Sequence, residues 1–268
     1  MSSITSLQNP RVKEAVRLRD RRHREKQGRI LIDGVRELSL ALRAGVVLQE
    51  VFVCESLCAG RDAVELLRQL DACGGEILTV AESVFERLAF GHREEGVLGV
   101  AAMPRPTLPS LELPENPIVA VLEGVEKPGN VGAVLRSADA AGVSAVIAAD
   151  ARTDLFNPNA IRASLGTIFT VPCCEASNAE TLAWLRQKRF RVFGARVDGS
   201  MPYTEADLRG PAAFVLGSEA DGLTPAWTAP DIQAIRVPMH GVADSLNVSV
   251  TAAVLFYEAA RQRQQPMK

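Results

Sequence analysis

The chain of 268 residues is poor in the side chains from which many active sites are built. Three histidines, His23, His92 and His240, are too few for a His-based triad or a metal centre with its orienting partners. The five cysteines, Cys54, Cys58, Cys73, Cys173 and Cys174, are odd in number and form no CxxC pair, which leaves a disulfide framework and a structural zinc site unsupported. Adjacent Cys173 and Cys174 read as a reactive pair or, in an apolar strand, as small core fillers. The longest apolar stretch, Ala140 to Ala149, is about half of what a membrane-spanning helix needs. Met1 to Pro10 is polar and has no apolar signal core, which predicts a cytoplasmic protein.

With 47% hydrophobic and 23% charged residues, the chain has the composition of a globular protein of one large or two modest domains. Its net charge of −2 conceals an asymmetry. Residues 1–30 carry nine Lys/Arg against three Asp/Glu, a net +6, which leaves −8 on the other 238 residues. Within that basic arm Arg11, Lys13, Arg17, Arg21, Arg22 and Arg24 are the candidate phosphate contacts, on one helix from Pro10 to Gln27. A solvated helix face would read the same way.

Five prolines (104, 106, 109, 114 and 117) exclude a regular helix over residues 104–117 and predict a linker. This divides the chain into an N-terminal domain, 1–103, and a C-terminal domain, 118–268. In the first, strand-like runs (Arg29–Ile32, Leu48–Val53, Glu76–Val80, Gly96–Val100) alternate with helical patterns, the signature of a small α/β domain. In the second, the runs Ile118–Leu122, Val143–Ala148, Phe169–Cys173, Arg191–Ala195, Ala213–Leu216 and Ala234–Val237 are mostly separated by helices such as Val131–Ala141 and Ala179–Lys188. That alternation predicts a parallel sheet covered on both faces, with ligands at the carboxyl ends of its strands.

Three loops there are unusual. Glu123 to Gly132 is glycine-rich and enters a helix, yet it is neither GxGxxG nor GxxxxGK[ST], so Rossmann and P-loop readings fail. Val131, Val134, Leu135 and Ala138 make one apolar stripe on that helix, with Arg136 nearly opposite. The second loop, Gly217-Ser-Glu-Ala-Asp-Gly222, leaves a buried strand through glycine, where backbone can approach a ligand or simply turn. The third, Val237 to Ser249, leads into Thr251–Ala260, apolar on most faces and so predicted buried, with Asp244 or Ser245 as its cap. Asn247 and Ser249 beside a buried helix need polar partners.

These segments resemble the SpoU/TrmH family of RNA 2′-O-ribose methyltransferases, in the SPOUT superfamily. The resemblance rests on Gly129-Asn-Val-Gly-Ala-Val-Leu-Arg136, on Leu216-Gly-Ser-Glu-Ala-Asp-Gly-Leu223, and on Val237-Pro-Met with Ser245-Leu-Asn-Val-Ser-Val250, over roughly residues 116–262. Ser6-Leu-Gln-Asn-Pro-Arg-Val-Lys13 and Leu31-Ile-Asp-Gly are similar to the family's N-terminal RNA-binding domain, with Asp33 where many relatives have Glu. The resemblance implies an α/β fold whose C-terminal parallel sheet carries a trefoil knot. It implies S-adenosylmethionine bound at Leu216, Gly217, Val237, Met239, Ser245 and Leu246. Asn130, Arg136, Glu219, Ser245 and Asn247 fall to the catalytic region. A homodimer, no metal, no membrane and structured RNA are also implied, ribosomal RNA ahead of transfer RNA. The reaction implied is attack of a ribose 2′-hydroxyl on the sulfonium methyl. A guanidinium holds its proton too tightly to be a good base, so Arg136 is expected to position phosphate rather than take a proton. A transfer-RNA enzyme and a non-catalytic RNA-binding assembly factor are the alternatives.

Overall fold

A computed structural model of the protein describes residues 3–58, 60–72, 75–89 and 95–264. Cys73 and His92 therefore lie outside the described residues. By its contacts the chain forms two units, residues 1–104 with 156–170, and residues 105–155 with 171–268.

The first unit opens with α1 (Pro10–Arg17) and α2 (Arg21–Gln27). One helix was expected here. It is broken because buried Leu18 ends the first segment and the Asp20 side chain accepts from the Arg22 N–H (2.8 Å), capping the second. Then come β1 (Arg29–Asp33), α3 (Val35–Arg43), β2 (Leu48–Val53), α4 (Arg61–Ala72), β3 (Glu76–Thr79), α5 (Glu82–Leu88) and β4 (Val97–Ala102). The four strands form a mixed sheet in the order β1-β4-β2-β3, with only β2 and β3 parallel.

The second unit holds β5 (Ile118–Glu123), α6 (Pro128–Ala141) and β6 (Ala145–Ala149). The chain then passes through α7 (Pro158–Ala163), a short helix not foreseen, whose segment belongs to the first unit. There Gly166 lies against Glu37 and Leu40 of α3. The second unit resumes with β7 (Cys173–Ala176), α8 (Asn178–Gln187), β8 (Arg191–Ala195), β9 (Met201–Pro202), β10 (Ala212–Leu216), β11 (Ile232–Arg236) and α9 (Val248–Gln264). The strand expected at Phe169–Cys173 starts at Cys173 instead. Phe169 ends a 3₁₀ turn and stacks on Phe156 (6.3 Å between centroids), inside the excursion.

All seven strands of the second sheet are parallel, in the order β7-β6-β5-β10-β8-β11-β9. The late strand β10 thus sits between β5 and β8, in the middle of the sheet. Trp184, Leu185 and Trp227 pack on one face with Val119, Val121 and Val215. On the other, Phe256 of α9 meets Phe214, which meets Phe193, at 6.1 and 6.0 Å. The predicted stripe of α6, Val131, Val134, Leu135 and Ala138, is buried, each Val or Leu contributing about 1.5–3 kcal/mol.

Three expectations are corrected here. From Arg105 on, the Pro-rich stretch belongs to the second unit, with Leu108 in its core and Leu111 and Leu113 packed against it. Helix α9 is not buried all round, since Val250 and Tyr257 are 47% and 55% exposed. Its cap is Asn247, whose Oδ1 accepts from the Ser249 N–H (2.9 Å) and hydroxyl (2.7 Å), in place of Asp244 or Ser245. Cys173 and Cys174 are core fillers. Burial pushes both thiols up to about 12, away from the thiolate a reactive pair needs. Among the described residues no helix is long and apolar enough to cross a membrane.

Candidate active site

The loops that follow β5, β10 and β11 leave the same end of the parallel sheet. After β10 the backbone doubles back on itself. A Cβ at Gly217 would lie 2.2 Å from the Gly222 backbone, so only glycine fits. The Gly222 N–H donates to the Ser218 carbonyl (3.1 Å) and the Asp221 N–H to the Ser218 hydroxyl (3.0 Å). This tight turn carries Glu219 to the start of α6. There the Asn130 amide donates to Glu219 Oε1, and Lys127 Nζ stands 3.7 Å from Oε2. From the third loop, Asn247 Nδ2 donates to Asn130 Oδ1 (3.3 Å).

Asn247, Asn130 and Glu219 therefore form one chain of donors ending on a carboxylate, drawn from positions 117 and 89 residues apart. Arg136 is exposed on α6, about 9 Å further along the helix axis. No described residue pairs with it. Ser245 and Leu246 are exposed in the third loop, and Ser245 makes no hydrogen bond to the cluster among the described residues. Leu216 is buried, while Gly217, Val237 and Met239 are half-buried.

Beneath the cluster lies a buried polar network that sequence reasoning missed. Glu123 ends β5 and is 2% exposed. One of its oxygens accepts from Asn178 Nδ2 (2.6 Å) and the Thr224 hydroxyl (2.5 Å), the other from the Thr224 N–H (2.9 Å). The Trp227 indole donates to Asn178 Oδ1 (3.1 Å). The carboxylate thereby ties the end of β5 to the chain leaving the Gly217 turn. Arg152 adds a second tie, pairing with Glu126 of the first loop and with Asp221 of the second (3.4 Å). A glutamate closing an apolar strand was the one visible signal for Glu123. Nothing marked Arg152.

A family model described as the SpoU rRNA Methylase family matches residues 117–257, and one described as an MRM3-like substrate binding domain matches residues 9–99. The chain belongs to the SpoU rRNA methylase family. It is 28% identical to the 23S rRNA (guanosine(2553)-2′-O)-methyltransferase RlmP of Bacillus subtilis, over 96% of this chain and 98% of that protein. The crystal structure of an RNA 2′-O ribose methyltransferase superposes with a TM-score of 0.86 at 41% identity, covering 98% of this chain and all of that one (100%). An AdoMet-bound rRNA methyltransferase from Sinorhizobium meliloti gives 0.87 at 26% identity, covering 98% and 99%. The SpoU model spans β5 through most of α9, and so includes all three loops of the cluster.

The basic residues of the arm in the first unit differ in what they contact. Arg24 is 1% exposed, and its guanidinium donates to the carbonyls of Leu18 (2.7 Å) and Arg19 (2.8 Å) at the end of α1. It holds a helix end and, contrary to expectation, is not available to contact RNA. Arg11 pairs with Glu76 (2.6 Å), Arg17 with Glu14 (2.8 Å) and Arg21 with Glu25 (2.7 Å). Lys13 and Arg22 stand exposed with no partner among the described residues.

Proposed function

We propose that this SpoU-family chain is a cytoplasmic S-adenosylmethionine-dependent methyltransferase that modifies a ribose 2′-hydroxyl of large-subunit ribosomal RNA. The observation that carries the reading is the Asn247–Asn130–Glu219 chain beside exposed Arg136, inside the family-matched unit. The names of the similar proteins, which specify 23S rRNA and the 2′-oxygen, support the substrate class.

The loops after β10 and β11 suit the cofactor. Gly217 presents bare backbone at a turn that no Cβ can enter, and half-buried Val237 and Met239 with Leu246 offer apolar surface in the loop after β11. When bound, S-adenosylmethionine supplies a methyl on a sulfonium that needs no further activation. The chain must then hold the ribose in line and take one proton. Arg136 grips the phosphate next to the target ribose through its fork of donors. Asn130 and Asn247 orient the 2′-hydroxyl, and the Glu219 carboxylate accepts its proton. Ser245, in the loop before α9, contacts the methionine end of the cofactor.

The working form is a homodimer. Val250 and Tyr257, exposed and one heptad apart on α9, leave an apolar strip suited to a second copy of the chain. Sedimentation should report twice the chain mass.

Labelled methyl transfer into unmodified ribosomal and transfer RNA, followed by alkaline hydrolysis, tests the chemistry. A 2′-O-methyl blocks cleavage of the adjoining phosphodiester, so label from ribosomal RNA should survive in alkali-resistant dinucleotides. Label on a base would overturn the mechanism, and label only in transfer RNA the substrate. RNA binding without any transfer would leave an assembly factor.

A further inference from the structure

We infer that the first unit grips the RNA phosphodiester backbone in a groove between α3 and α4, through Arg36, Arg43 and Arg61. This inference rests on the RNA-methyltransferase reading above and names where substrate is held.

The groove is open, about 740 Å³, and lies entirely within the stretch matched by the substrate-binding family model. Arg36 and Arg43 are one heptad apart on α3, on the same face and about 10 Å from each other along the axis. Arg61 opens α4 on the opposite wall, where the first turn also presents N–H groups that have no partner within the helix. All three are exposed, and none has a partner among the described residues. That separates them from the basic arm, where Arg11, Arg17, Arg21 and Arg24 are already committed to carboxylates or carbonyls.

The groove also contains carboxylates, and most are occupied. Glu95 accepts from the Val35 N–H at the start of α3 (2.8 Å), and Glu65 faces Arg68 (3.5 Å) and Gln69 (3.3 Å). Asp62 makes no such bond among the described residues, and with Arg68 counted beside Glu65 the groove's four arginines face three carboxylates. Its floor, which includes Leu57 and Leu66, is apolar. Arginines spaced about 10 Å apart on α3 and facing Arg61 across an open groove suit successive phosphates of a chain better than a single small anion.

The test is the salt dependence of binding to in vitro transcribed, unmodified 23S ribosomal RNA, comparing the full-length protein with R36Q/R43Q/R61Q. Each lost phosphate contact should flatten the slope of log affinity against log salt by somewhat less than about one. The triple variant should therefore lose about two in slope and at least about 30-fold in affinity at 100 mM salt. Its affinity for S-adenosylmethionine and its thermal midpoint should be retained. K13Q/R22Q, which removes the two uncommitted charges of the arm, should flatten the slope less. Unchanged slope and affinity in the triple variant, or a larger effect from K13Q/R22Q, overturns the groove while leaving the methyltransferase reading intact. Absence of RNA binding by the unaltered protein overturns both.

Discussion

The stretch Arg11–Arg29 is crowded with cations, whereas α6 carries the single arginine Arg136, and the fold spends the two differently. In the first, Arg24 satisfies two carbonyls at the end of α1, and Arg19 does the same for α5, donating to the carbonyls of Arg87 (2.9 Å) and Leu88 (3.2 Å). Arg11, Arg17 and Arg21 pair with nearby carboxylates. In the second, one arginine is held out on the face opposite a buried stripe, beside a cluster assembled from three loops. Arginine reports function where packing leaves it unemployed, and counting charges does not reveal that.

Substitutions should separate the two uses. Arg136→Ala is expected to lower kcat/KM for methyl transfer by about 100- to 1000-fold, some 3–4 kcal/mol, with the melting temperature unchanged. An activity within threefold of the parent would remove Arg136 from the site. Gly217→Ala should cost about 3 kcal/mol by forcing the Gly222 backbone away, and should weaken S-adenosylmethionine binding with it, measured by calorimetry. Normal affinity there would mean the turn does not shape the cofactor site.

Arg24→Ala reverses the pattern of Arg136→Ala. It should destabilise the protein by about 2–3 kcal/mol in urea unfolding, because two buried carbonyls lose a charged donor, while S-adenosylmethionine affinity is kept. If stability held and RNA affinity fell, the contrast between the two regions would collapse.

The smallest effect concerns an arginine pair in the second unit. The Arg191 guanidinium, with Arg209, holds the Asp207 carboxyl down at about 2. A depressed carboxyl stabilises the fold above its unfolded value near 4, and that gain is lost as pH falls towards 2. The pair is half exposed, so it contributes below about 1 kcal/mol. The gap in urea midpoint between the parent and Asp207→Asn should narrow from pH 5 to pH 2. A constant gap would show that the ion pair adds nothing.

Local pattern carried a great deal. Arg191–Ala195 and Leu48–Val53 are strands at the predicted boundaries, and the α6 stripe is buried with Arg136 opposite, since both periodicities follow from backbone geometry alone. The three motif segments were legible through their resemblance to a family, but the cap of α9 was not, since Asn247 takes the place expected of Asp244 or Ser245. Errors gathered where distant partners intervene. The strand expected at Phe169–Cys173 yields to an excursion that packs with the other unit, and Arg24 is taken up by carbonyls one helix away.

The residues alone therefore determined most of the strands and longer helices, which loops are chemically unusual, and which family the chain resembles. Only the tertiary structure decided that β10 enters the sheet between β5 and β8, that Asn130 meets Glu219 and Asn247, and that Glu123 and Arg152 lock those loops. It alone also sorted the arginines into committed and free. The physical reason is range. Periodicity and turn chemistry act over a few residues, whereas hydrogen bonds and ion pairs between loops depend on a sheet order that no local pattern encodes.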